Sequence, residues 1–430
     1  MSTQKSTRDI KIEALRMAGE LEDGTSPFDS VAVDYINKAY LGLLAGGNLF
    51  GYDTAEAWIW AQSKRPILGA LQAVISTSVV LTADSASGTL GAAQSQSVEG
   101  WYLSIEGFED VYNIAANTSG NTAVSLDQAF LGTSGTYNCK LFKLDYELID
   151  DTIIINSKNC IIDFSQGGSA LTAQLTKGSY TPASLCTEIK TRMDAASTNV
   201  YTVTFNSITR KFKITVSSGT ILNLLFASGA NAYISASELL GYECLDYSGA
   251  LFYESAYSLN AILRITKPIS MYRTTPNQSE ASADANKIFL IDDNSFLRDY
   301  PISRMALEVP DKFCVVQRDK NDLWTVRMNS YVDEEVRFEV GCIPVHRKLQ
   351  DNTASFPILP SPNIDFLVYG AAYFLMLDKS DSKADRLLQM AQAQLKALVN
   401  DNRKGLTLGG NNFGKFIARP NQTNRYGGWW

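Results

Sequence analysis

The stretch "FLVYGAAYFLMLDKSDSKADRLLQMAQAQLKALVNDNRKG", residues 366–405, reads as two helices separated by a polar break. Together with Ile364 just upstream, Leu367, Val368, Ala371, Phe374 and Leu375 line one face of the first helix. "DKSDS" interrupts it, with Ser380 or Ser382 expected to cap the second. There Ala384, Leu388, Ala391, Leu395 and Leu398 step by 4, 3, 4 and 3, the narrow stripe of a helix that lies along a partner helix. A connection this short makes an antiparallel hairpin.

The expected partners stand at the other end of the chain. From Ser6 to Leu21 the apolar residues Ile10, Ala14, Met17, Ala18 and Leu21 recur at helical spacing, and "EDGTSP" supplies the stop. In "SPFDSVAVDYINKAYLGLLAGG", Ser26 or Asp29 is the expected cap, Val33, Ile36, Ala39, Tyr40, Leu43 and Leu44 form a stripe, and Gly46 and Gly47 close the helix.

Between the helices the texture is β. "AVISTSVVLTA", "GWYLSIEG", "VYNIAANT", "KLFKLDYEL" and "TIIINS" are short alternating or β-branched runs, and the same texture returns after residue 258 in "AILRITKPISMYR", "KIFLIDD", "KFCVVQRD", "LWTVRMNS" and "EVRFEVGCIPVHRKL". Residues 160–258 differ, being poor in charge and holding one clear helix, "TPASLCTEIKTRMDAAS". Pro182 fits its first turn after Thr181, and Leu185, Ile189 and Met193 make its stripe. Tyr201, Val203 and Phe205 before the turn "NSITRK", and Phe212, Ile214 and Val216 after it, predict a hairpin with one face on that helix.

The expected fold is therefore α+β: a helical bundle from both chain termini, a β-sandwich or barrel-like domain, and an inserted small α+β domain. The segments are 1–60 and 360–404 for the bundle, 65–159 and 259–357 for the β domain, 160–258 for the insert, and 405–430 for an extended arm.

Composition narrows the function. The 430 residues carry a net charge of −7, with 45% hydrophobic and 19% charged residues. That is globular, and wrong for a protein that grips nucleic acid by neutralising phosphates. Cys139, Cys160, Cys186, Cys244, Cys314 and Cys342 show no CxxC pair and read as free thiols of a reducing cytosol. "MSTQKSTRDIKIEAL" lacks the apolar core of a signal peptide, and the longest apolar run, 366–377, is too short to span a bilayer.

Catalytic chemistry finds little to stand on. The single histidine, His346, reads as a solvated residue at a strand end beside Arg347 and Lys348. "GGNNFGKF" (409–416) imitates a phosphate-binding loop, but Phe416 occupies the magnesium-binding Ser/Thr position and a helix precedes it instead of a strand. The acidic pairs Asp150–Asp151, Asp292–Asp293 and Glu334–Glu335 lack EF-hand spacing and read as turn residues. Without a secretion signal, the sequons at Asn117, Asn277 and Asn421 carry no weight. No catalytic, metal or cofactor site is expected.

The tail, 405–430, is rich in glycine and asparagine, has no acids, and carries Lys415, Arg419 and Arg425. It also holds Phe413, Phe416, Tyr426, Trp429 and Trp430, residue types that dominate interface energies. These eight residues are the expected partner-binding set, received by an acidic groove.

Taken together, "EALRMAGELEDGTSPFDSVAVDYINKAYLGLLAGGNLFG", "KLDYELIDD" and the C-terminal hairpin resemble the head-to-tail adaptor (connector or neck) proteins of tailed bacteriophages. The resemblance implies a non-enzymatic structural virion protein in the neck, assembled in the host cytoplasm. It implies a homo-oligomeric ring, usually a dodecamer, with Ala384, Leu388, Ala391, Leu395 and Leu398 in the ring packing. It also implies a portal protein above, a tail or nozzle protein below, DNA passing through without specific binding, and no membrane. The 160–258 insert is similar to a small α+β domain of phage structural proteins and is expected outside the ring, against tail or fibre proteins. The alternative is another tail, baseplate or receptor-binding structural protein.

Overall fold

The computed structural model describes residues 5–20, 26–54, 58, 60, 61, 63–71, 74–148, 151–217, 221–266, 269–273, 287–302, 305, 307, 308, 310–331 and 336–408. Six helices are found among them: α1 (Thr7–Met17), α2 (Asp29–Ala45), α3 (Pro182–Ala196), α4 (Asp293–Asp299), α5 (Asp365–Asp378) and α6 (Ala384–Leu408). The fold is mixed α+β, with a closed six-stranded barrel and several further sheets. The chain divides into two units, one of residues 1–63, 151–266 and 343–430, the other of 64–150 and 267–342.

In the first unit α1, α2, α5 and α6 contribute to one hydrophobic core, which includes Ile10, Ile36, Leu43, Leu367, Leu375, Leu395 and Leu398. Ser6 and Asp9 form a capping box at the start of α1. The helix ends at Met17, earlier than its stripe implies. Gly19, at φ +69°, donates to the Arg16 carbonyl while Glu20 donates to Leu15, a Schellman closure that only a residue tolerant of positive φ enters cheaply. Neither Ser26 nor Asp29 caps α2 as expected: Phe28 holds the cap position without a side-chain bond, and Asp29 opens the helix.

The connection before α6 also differs. Asp381, not Ser380 or Ser382, receives the backbone N–H of Lys383 at 2.8 Å. α6 then runs through Gly405 to Leu408, four residues into the segment expected to be extended. Its partner is α5, with the strand Tyr52–Asp53 also beside it, while α5 is the helix that meets α1 and α2. Gly370 makes that approach possible, since a Cβ there would stand 3.3 Å from the Ala39 Cβ and 3.2 Å from the Phe50 ring.

A second core in this unit joins Ile153, Ile155, Ile162, Phe164, Leu185, Ile189, Met193, Phe212, Ile214 and Leu224. Thr181 caps α3, Pro182 takes its first position, and the stripe Leu185, Ile189, Met193 is buried, as the sequence predicts. The hairpin register sets Tyr201 opposite Val216, Val203 opposite Ile214 and Phe205 opposite Phe212. The core begins before residue 160, because strand Ile153–Ile155 pairs with Gly178–Tyr180.

In the second unit the strands Ile75–Leu81, Ser87–Leu90, Ala123–Leu126, Val111–Asn117, Tyr102–Ile105 and Gly135–Phe142 close a barrel in that order. Its interior is filled, by Val79, Leu103, Tyr112, Ile114, Phe130 and Leu141 among others, so it is a packed core and not a channel. "KLFKLDYEL" is two strands: Gly135–Phe142 belongs to the barrel, while Asp145–Glu147 pairs with Trp324–Met328. From there one sheet continues through Lys312–Arg318, Lys287–Leu290 and Ile269–Arg273 to Val336–Pro344. Asp292 is not a simple turn residue but the cap of α4, accepting from the Ser295 backbone at 2.9 Å.

Candidate interaction surfaces

The five residues expected in ring packing lie mostly inside the chain's own core. Ala384, Ala391, Leu395 and Leu398 are buried, and Leu388 is half-buried while its neighbour Leu387 takes the buried place. A side chain already enclosed within its own protomer has no surface left to give a neighbour. Four of the five thus pack within one protomer, and of the set Leu388 alone keeps exposed surface. The eight tail residues, Phe413, Lys415, Phe416, Arg419, Arg425, Tyr426, Trp429 and Trp430, lie outside the described residues, as do Gly409–Phe416, Asn277, Asn421, Asp150, Glu334 and Glu335. Asp151 pairs with Arg210 at 2.6 Å. His346 is half-buried. Asn117 is locked in the barrel, its side chain accepting from Val98 N and donating to the Ala123 carbonyl.

Toward solvent lies an aromatic belt formed by α2, α5 and Phe50, whose half-exposed members stand off the apolar stripes. Tyr35 stacks on Phe374 with centroids 5.7 Å apart, Phe50 sits 5.4 Å from Phe374 and 5.6 Å from Tyr373, and the Lys38 ammonium stands 4.2 Å over the Phe374 ring. Tyr35 donates to the Asp378 carboxylate, and that hydrogen bond, followed by desolvation, pushes its hydroxyl up to about 12. Tyr35, Phe50, Tyr369 and Tyr373 remain half-exposed, and Leu377 is 54% exposed. The signal was present in the sequence: "FLVYGAAYFLML" is apolar all round, and such a helix requires cover on every side. Rings with polar tips, a cation and a carboxylate at one face make contact chemistry for protein.

A second connection runs along residues 345–352. Arg347 donates to the Ser237 hydroxyl at 2.9 Å and reaches Glu238 at 3.6 Å, the Lys348 backbone donates to Tyr257 at 3.1 Å, and Asn352 donates to the Cys244 carbonyl at 2.6 Å. This strap ties one end of the α3-containing core to the helical core. At the far end of the α3-containing core lies an open groove of about 560 Å³ lined by Gln166, Gly168, Ser169, Leu171, Ala196 and Thr198.

Among the described residues no group of three His, Cys, Asp or Glu side chains converges to hold a metal, and no helix is long and apolar enough to cross a membrane. No family model and no curated protein matches the chain.

Proposed function

We propose that the chain is a structural virion protein, a head-to-tail adaptor whose terminal helical bundle forms a ring between portal and tail. The observation that carries this reading is the single core drawn from α1, α2, α5 and α6, the two extremes of the chain, with an aromatic belt still half-exposed on its α2–α5 face. Side-by-side packing of copies would cover that belt. Residues 409–430, with their aromatics and cations, are the docking arm toward portal or neighbouring subunit. The net charge of −7 suits a channel through which DNA slides without sticking. The inserted α+β domain, held by the strap at one end, would face outward toward tail or fibre proteins.

The test is co-expression with the portal protein of the same particle, followed by imaging. Rings bound to portal are expected for the full chain, and loss of portal binding after truncation at Leu408. A chain that stays monomeric and ignores the portal, with or without its tail, sinks the reading.

A second reading, another tail, baseplate or receptor-binding protein, draws support from the closed barrel and its adjoining sheet. Trimeric assembly or glycan binding by the purified chain would favour it.

A further inference from the structure

The barrel is unlike the rest of the chain in charge. Its residues 75–142 hold the acids Asp84, Glu99, Glu106, Glu109, Asp110 and Asp127 against a single cation, Lys140. All of these acids but Glu99 stand at one end, on the connections 82–86, 106–110 and 127–134, and none of those connections contains a lysine or arginine. The three meet there. Phe130 donates to the Ser85 carbonyl and Asp84 to that of Phe130, both at 2.9 Å, while the Phe108 ring lies 5.2 Å from the Phe130 ring. The acids of this end are exposed, and none joins an ion pair among the described residues. Glu106 and Asp127 accept from the Asn138 side chain and the Asn113 backbone, neutral donors that leave the charge in place. Lys140 stands opposite Ser76 and Ser104, back along the barrel wall, and pairs with none of them.

Among these charges one apolar side chain is held in water. Leu131 is 74% exposed, although the loop that carries it is firmly seated. The Leu131 N–H donates to the hydroxyl of the buried Tyr112 at 3.4 Å, and Gly132 lies flat on the Phe130 and Phe108 rings, where a Cβ would collide with both. Phe108 and Tyr137, with centroids 5.2 Å apart, stay half-buried beneath it. An apolar centre with a charged rim is the layout of a protein contact surface, and a loop already fixed loses little further freedom on contact.

We infer that this acidic end of the barrel receives residues 409–430 of a neighbouring copy. The inference rests on the docking-arm reading of that segment and names what the arm docks on. The segment is the chemical complement of the surface: it carries Lys415, Arg419 and Arg425 without a single acid, and Phe413, Phe416, Tyr426, Trp429 and Trp430 supply rings for the apolar centre. Helix α6 ends at Leu408, so 22 residues follow it, up to about 70 Å of chain when extended at roughly 3.3 Å per residue, enough to cross to the next copy. Opposite charge selects the surface, and the rings hold it.

The experiment uses the full chain, both alone and co-expressed with the portal protein. Gln128→Cys, at an exposed position of the rim, and Gly427→Cys are prepared separately, the six native thiols being buried, and their folding is checked by circular dichroism. After mild oxidation the mixture of the two is expected to give a disulfide-linked pair that neither variant gives alone, in a yield that falls as salt is added. Glu109→Lys with Asp110→Lys in the barrel copy should slow the linking by about tenfold. Arg419→Glu with Arg425→Glu in the tail copy should then restore it, a rescue that a folding defect would not show. No link in the mixture with or without portal, a double variant that links only within its own monomer, linking indifferent to charge reversal, or Gly427→Cys linked only to the portal protein would each overturn the contact. Portal-bound rings that form in micrographs while no link appears remove this inference and leave the adaptor reading standing.

Discussion

The Lys11 ammonium lies 2.6 Å from the Asp351 carboxylate and 3.0 Å from that of Asp29. It joins the first helix to a segment 340 residues away. Lys11 is buried, so removing its charge leaves Asp29 without its cation, while Lys11→Met keeps the apolar stem. The substitution is expected to cost about 1–3 kcal/mol, the partners being partly exposed, as read from the urea midpoint. Burial disfavours the charged form of Lys11, but the bonds to Asp351 and Asp29 outweigh it and its pKa is raised. The contribution is therefore whole below the ordinary lysine value of 10.5 and is lost as pH rises through the folded value. The difference between wild type and Lys11→Met should hold constant from about pH 6 to 9 and shrink only under strong alkali.

All six cysteines are free and buried, and burial pushes the thiols of Cys139, Cys186 and Cys314 up to about 11. At pH 8 roughly one in a thousand of these three is thiolate. The native chain should react with a thiol reagent orders of magnitude more slowly than the urea-unfolded chain, which should titrate all six. Fast labelling of even one native thiol would contradict the packing.

In α6, Leu395 is fully buried and Leu388 is half-buried. Leu395→Ala should therefore cost about 2–5 kcal/mol and Leu388→Ala about 1 kcal/mol. Equal losses in equilibrium unfolding would mean that the five-residue stripe, and not the observed face, is what packs.

That face shows where the sequence stops being readable. At 100° per residue Leu387 and Leu388 flank the centre of the stripe on opposite sides, so packing and not spacing decides that Leu387 is the enclosed one. α3 and its hairpin were legible because a capped i, i+4, i+8 stripe and a strict two-residue alternation each leave one choice of buried face. α4, with seven residues, is too short for periodicity and is betrayed only by Asp292 three positions before Ser295. Alternation marked the barrel strands, but nothing local says that Gly135–Phe142 closes on Ile75–Leu81. The aromatic belt was visible as an excess of apolar residues, yet which neighbour leaves Tyr369 and Tyr373 uncovered is decided only by packing.

Arg327 grips Asp145 with two parallel bonds, at 2.6 and 2.8 Å, and Tyr102 from the barrel donates to the same carboxylate at 3.0 Å. The arginine side chain is 14% exposed, so Asp145→Asn strips a nearly enclosed guanidinium of its counter-charge and should cost about 2–4 kcal/mol. Tyr102→Phe loses two hydrogen bonds, the one given to Asp145 and the one accepted from Arg327 at 3.0 Å, together about 1–3 kcal/mol. Burial first, and then the charge of Asp145, pushes the Tyr102 hydroxyl up to about 12 from 10.0. Folding thus favours its protonated form, whose contribution is complete below pH 10.0 and lost as pH rises through about 12. Unfolding followed between those limits should fall more steeply for wild type than for Tyr102→Phe. Parallel curves would show that the hydroxyl titrates as freely in the folded chain as in the unfolded one.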